Sequence, residues 1–280
     1  MTQCNVVTDD ISIAKGLGEF LAQSVPGEWK ESRLGTHVSC RLASVDEDWE
    51  SLAWPLARAL ARYLLIDSER AWLHSIVGRR YPVFDHREQQ RIVRAVLPLL
   101  HTSQERDATR LDLATAAIYR FLGSHSTLVL EGIRTFLLQD IRREFEDAID
   151  QAVDAHLMEK EYEEFVQLLR QLVTAAKTRH DWIHVWFRFE RFHFEDTTGQ
   201  RIGDDLLEDM MDEVGNDGTG VDDILISALV TLAPVRITIH QGHLSREGRT
   251  TLIKVFDGRV IFCGGCARCH AALDRDRRSF

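Results

Sequence analysis

The stretch TTLIKVFDGRVIFC, residues 250–263, decides how the last part of this chain folds. Asp257-Gly258 between two β-rich runs is a hairpin signal. Leu252, Val255 and Phe256 instead recur at helical spacing, and Gly258 stands where a helix would hand over to its next element. Residues 244–257 are also long enough for a crossover between parallel strands, which takes about a dozen residues or more. The reading adopted is a helix followed by a strand at 259–263, with a hairpin over 247–263 as the alternative.

Upstream, VDDILISALVTLAP (221–234) reads as a buried helix ended by Pro234, and VRITIH (235–240) as a strand of β-branched residues. If the strands at 235–240 and 259–263 are parallel, both finish on the same sheet edge, where sites in open α/β sheets form. His240 would end the first strand with His243 just beyond it, and Cys263 would end the second. CGGCARCH (263–270) then adds Cys266 and Cys269 at two-residue gaps. Two histidines and three cysteines would share one corner.

Zinc takes four ligands at tetrahedral corners, and a Cys-x-x-Cys turn supplies two thiolates with little strain. The candidate metal ligands are therefore Cys263, Cys266, Cys269, His240 and His243, with His270 competing for the fourth place. Gly264 and Gly265 allow the tight backbone of such a knuckle. Zinc is the cofactor these residues suit. An iron–sulfur cluster lacks its fourth cysteine and proline. CARCH also fits a haem attachment pattern, but nothing here takes the chain to the compartment where haem is attached, so no haem is expected. A dithiol redox pair stays open, as do inert reduced thiols.

Other patterns carry less. His180 and His184 stand four apart but flank a strand start, and Glu190 and His193 lie on a strand rather than the helix that Glu-x-x-His ligation needs. NDGTGVDD lacks the alternating ligands of a calcium loop. No nucleophile elbow, Walker loop or zincin motif is present, and no catalytic residue is assigned.

With 280 residues, 44% hydrophobic and 28% charged, the composition is that of a globular chain. The N-terminus has neither a basic nor an apolar signal region, and the longest apolar run, 224–235, falls short of the roughly 20 residues of a membrane span. A cytoplasmic protein with reduced cysteines is expected. Between Glu195 and Asp223 eleven acidic residues face one basic residue, a net −10 equal to the formal charge of the whole chain. The remainder is close to neutral, so nucleic acid is not an expected partner.

The fold expected is mixed α+β. Residues 1–44 read as a small α/β unit, with strands at CNVVT and HVSCRL, Cys40 on the core side, and a helical face at Ile13, Leu17, Phe20 and Leu21. Residues 45–178 form a helical region. Ser44-Glu47 and Asp85-Glu88 look like capping boxes, Pro55 predicts a kink or break, and a helix over Leu111, Ile118 and Phe121 stops near Gly123. A long helix lies near 128–176. In it Met158, Tyr162, Phe165, Leu169, Leu172 and Ala176 step by three and four, predicting one buried stripe, with a partner-docking helix as the other reading. Residues 179–270 form a C-terminal α/β domain with a mixed sheet and a Cys-rich end, followed by a charged tail, 271–280. In IHVWFRFERFHFE (183–195), Ile183, Val185, Phe187 and Phe189 share one phase and Phe192 and Phe194 the other, so a bulge or a break between two strands is expected near Arg191.

Three stretches, AIDQAVDAHLMEKEYEEFVQLLRQLV (148–173), LISALVTLAPVRITIH (225–240) and VFDGRVIFCGGCARC (255–269), together resemble the YtxC-like family of sporulation proteins from endospore-forming Bacillota. The resemblance implies a cytosolic, sporulation-associated protein and brings no catalytic residues with it. It also implies that Cys263, Cys266 and Cys269 belong to the family pattern, whereas His270 does not. The expected function is a non-enzymatic interaction or assembly protein with an unknown protein partner, no membrane association and a C-terminal zinc site; the oligomeric state is not legible. A metal-dependent hydrolase or thiol-redox enzyme at the same corner is the alternative, and a nucleic-acid-associated regulator the third.

Overall fold

The computed structural model describes residues 4–9, 16–34, 37–42, 49–177, 180–188, 191–203, 205, 220–240 and 244–269. Ile13, the Ser44-Glu47 pattern, Phe189, Glu190, His243, His270 and the charged tail lie outside the described residues. The chain divides into two compact units, 1–158 and 159–280.

In the first unit, β1 (Cys4–Thr8), α1 (Leu17–Ser24), β2 (Trp29–Leu34) and β3 (His37–Leu42) precede a run of helices: α2 (Trp49–Arg62), α3 (Glu69–Arg80), α4 (His86–Leu100) and α5 (Gln104–Leu122). β4 (Thr127–Val129) follows and pairs parallel to β1, giving the sheet order β2-β3-β1-β4. β3 is laid out as its alternation predicts, with Val38, Cys40 and Leu42 all buried. Asp85 caps α4 in a true capping box with Glu88. α2 runs on through Pro55 instead of breaking. One missing N–H costs less than the burial of Leu52, Leu56 and Leu60 along that helix returns.

The longest helix, α6 (Gln139–Ala175), starts later than the sequence predicts: Thr127–Val129 pairs with β1, and the helical turns over 130–137 end at Leu138 before α6 begins. Its buried stripe also differs. Val166 and Val173 are buried, and Tyr162 and Leu169 pack against the same core of the second unit. Met158, Phe165 and Leu172 are instead exposed at 71%, 53% and 58%, and Leu168 at 59%. Two apolar stripes lie side by side on this helix, and the β-branched one faces the core.

The second unit continues with β5 (Trp182–Arg188), β6 (Arg191–Glu195), β7 (Arg201–Ile202), α7 (Val221–Leu232), β8 (Arg236–Ile239), α8 (Arg246–Phe256) and β9 (Val260–Phe262). The sheet order is β7-β6-β5-β8-β9. β5 and β6 pair antiparallel with Arg188 opposite Arg191, so the phase change near Arg191 is a break between two strands. β8 is parallel to both β5 and β9. Residues 246–256 are helical, which excludes the hairpin alternative. Asp257 and Gly258 take positive φ, 28° and 75°, and turn the chain from α8 into β9. Ile183, Val185, Phe192, Phe194, Ile237 and Ile239 pack with α7, α8 and α6 in one core. Trp182, His184 and Trp186 alternate with them on β5.

Candidate metal centre

The register Ile239↔Phe262 brings the ends of β8 and β9 level, so the next residues, His240 and Cys263, stand side by side. Backbone bonds fix both: His240 N–H donates to Val185 O at 2.9 Å and Cys263 N–H to Ile239 O at 2.9 Å. Past Cys263 the chain doubles back through Gly265, whose φ of 112° suits only glycine. It closes with Cys269 in a helical turn at 267–269.

One ligand atom from each of His240, Cys263, Cys266 and Cys269 lies within 4.8 Å of all the others. The Sγ atoms of Cys263 and Cys269 are 3.7 Å apart, and those of Cys266 and Cys269 3.6 Å. His240 Nδ1 is 3.4 Å from Cys269 Sγ and 3.7 Å from Cys266 Sγ. A tetrahedron with Zn–S near 2.3 Å and Zn–N near 2.0–2.1 Å has S–S edges of about 3.8 Å and N–S edges of about 3.5 Å. These four edges fit, the other two, from Cys263 to Cys266 and to His240, lie within 4.8 Å, and the donor set is the Cys₃His type of structural zinc sites.

Cys269 and His240 are buried, while Cys263 and Cys266 are partly exposed. The backbone N–H of Cys269 holds the Cys266 thiol below its ordinary pKa, more strongly than partial desolvation raises it. On the other side of His240, Nε2 lies 3.0 Å from His184 Nδ1. Burial, with help from the positive charge of Arg268, keeps His184 below its ordinary pKa against the pull of Glu195 and Asp196. Trp186 stacks flat on His240, with ring centroids 3.9 Å apart and 4° between planes. Arg268, from the knuckle itself, lies 5.4 Å over Trp186 and is paired with Glu195 on β6 at 2.6 Å.

The structure thus brings together four of the five ligands predicted from sequence; the fifth, His243, lies outside the described residues. Ligand spacing in the sequence does not point to His184, Trp186, Arg268 or Glu195 as neighbours of this corner. The usable signal was the second phase of β5: with Ile183, Val185 and Phe187 committed to the core, Trp182, His184 and Trp186 had to share the opposite face.

A model of the YtxC-like family matches residues 55–261, well over half of the chain. The chain belongs to the YtxC-like family. Among its relatives, the uncharacterized protein YtxC of Bacillus subtilis (strain 168) is 24% identical over 227 residues, covering 74% of this chain and 77% of that one. No solved structure matches. The YtxC-like span takes in His184, Trp186 and His240 and stops two residues before Cys263. Among the described residues no helix is long and apolar enough to cross a membrane.

Proposed function

We propose that this chain is a cytosolic, non-enzymatic interaction protein of sporulating cells whose Cys₃His corner holds a structural zinc ion. The convergence of the four donor atoms, with four of their six separations near the edges of a zinc tetrahedron, carries this reading. Zinc there would cross-link the ends of β8 and β9 to the knuckle. With all four positions taken by protein, a hydrolytic site would have no place for water or substrate. The sporulation setting comes from the family resemblance. A protein partner is supported by the exposed stripe at Phe165, Leu168 and Leu172 on α6, since exposed apolar patches of this kind mark interaction sites.

Nucleic acid gains no support from the arginines near the corner. Arg236, Arg249 and Arg268 lie over Trp182, Phe262 and Trp186 of their own unit. A thiol-redox role is the second reading, favoured by the part-exposed, acidified Cys266. Elemental analysis of protein purified without chelator, with thiol counting before and after unfolding, separates the two. About one zinc per chain, with Cys263, Cys266 and Cys269 protected until unfolding, is the expected result. No metal and a freely reactive Cys266 would replace the zinc reading with the redox one.

A further inference from the structure

The ring of His240 is held on the sides that do not face the thiols by a continuous stack. Arg236 lies 5.6 Å over Trp182, Trp182 stacks on His184 at 5.4 Å, and His184 tilts against His240 at 5.2 Å. Trp186 lies flat on His240, and Arg268 caps Trp186. Trp182 is itself anchored, its Nε1–H donating to Thr238 Oγ1 at 2.9 Å. The row braces the ring of His240 between His184 and Trp186 of β5 and so fixes its orientation.

Orientation leaves one chemical question, which nitrogen of His240 is free to bind. Nδ1 faces the sulfurs and Nε2 faces His184 Nδ1. One proton lies between the two imidazoles. If His184 Nδ1 carried it, neutral His240 would keep its own proton on Nδ1, where a metal must bind. If His240 Nε2 carries it and donates to His184, the Nδ1 lone pair points at the three thiols. Metal-binding histidines use their second nitrogen in this way, and removing the acceptor costs about 10–100-fold in metal affinity.

We infer that His184 is the positioning residue of this centre: it accepts the Nε2–H of His240 and thereby reserves His240 Nδ1 for the metal. The inference rests on the zinc reading above. It sets apart two histidines that look alike in the sequence, one a ligand and the other the residue that selects the ligand's tautomer.

The test compares the full-length chain with its His184→Ala and His184→Asn variants, using zinc in competition with a chromogenic chelator. Asn is chosen because its Oδ1 falls close to the position of Nδ1 and accepts a hydrogen bond without titrating. Ala should weaken zinc binding about 10–100-fold and Asn should restore it to within about threefold. The ¹⁵N imidazole spectrum of the zinc-loaded wild type should show His240 bound through Nδ1 and protonated on Nε2. A role in packing alone would instead lower the melting temperature of metal-free Ala and Asn variants together, with unchanged zinc affinity. Equal affinity in wild type and Ala, or Asn as weak as Ala, would overturn the assignment of His184 and leave the centre standing. A wild-type chain that binds no zinc would remove the centre and this inference with it.

Discussion

The five cysteines of this chain fall into two sheets, and the sheets treat them in opposite ways. In the first unit Cys4 and Cys40 sit on the buried faces of β1 and β3, and burial pushes their thiols up to about 12 and about 11. In the second unit Cys263, Cys266 and Cys269 lie past the end of an edge strand, where backbone N–H groups and neighbouring thiols favour the charged form of Cys266. A cysteine within a strand becomes a small apolar core residue; one just past a strand end meets backbone donors and the ends of neighbouring strands. Position along the strand decides between the two fates.

The sharpest way to break this comparison is to remove one cysteine from each sheet. Cys269→Ser should abolish zinc binding, taking stoichiometry from about one to none, because Cys269 touches His240 and both other thiols. Cys40→Ala should leave zinc at one per chain and cost about 1–2 kcal/mol of stability in denaturant titration. Thiol labelling at pH 8 sharpens it further. With chelator present Cys266 should react first, and Cys4 and Cys40 should stay unlabelled until global unfolding, their thiolate fractions being orders of magnitude lower.

A smaller effect separates the two stripes of α6. Val173→Ala should destabilise the second unit by about 1 kcal/mol, whereas Leu168→Gln should change the melting profile by less than about 0.5 kcal/mol and show itself only in partner capture. The smallest concerns His101 in the first unit. Partial burial lowers its pKa, but hydrogen bonds to Glu69 at 2.9 Å and Asp107 at 3.0 Å outweigh this and raise it. A raised folded pKa means stability present below the ordinary histidine value and lost as pH climbs through the higher one. His101→Gln should therefore cost about 0.5 kcal/mol at pH 5.5, after discounting for solvent exposure, and close to nothing at pH 9. Equal losses at both pH values would show that His101 acts by shape alone.

Much of the second unit was legible because its residues signal locally. VRITIH carries the strand Arg236–Ile239, Ser245 caps α8 by accepting from Gly248 N–H, and Asp257-Gly258 fits a helix end once a crossover is considered. The cluster of His240, Cys263, Cys266 and Cys269 followed from strand direction together with the Cys-x-x-Cys spacing. β2 was not legible, because WKESRL is an edge strand whose charged residues are exposed. β4 was hidden by its three-residue length and by a partner, β1, more than a hundred positions earlier. The phase of α6 could not be read either, since Met158, Phe165 and Leu172 are as apolar as Val166 and Val173. Only the neighbours choose between such stripes. His184 was missed for a related reason: its role depends on Nε2 of a residue on another strand.

β9 is three residues long, forms the edge of its sheet among the described residues, and exposes Ile261 to solvent. An unpaired strand edge is a template on which other chains can add, and short, sharply ended edges are one defence against this. Here the strand ends at Cys263, where the knuckle turns the backbone away. Drawing zinc from the corner would release that turn and lengthen the free edge. The first sign of metal depletion should then be precipitation that grows with protein concentration, ahead of any loss of helix.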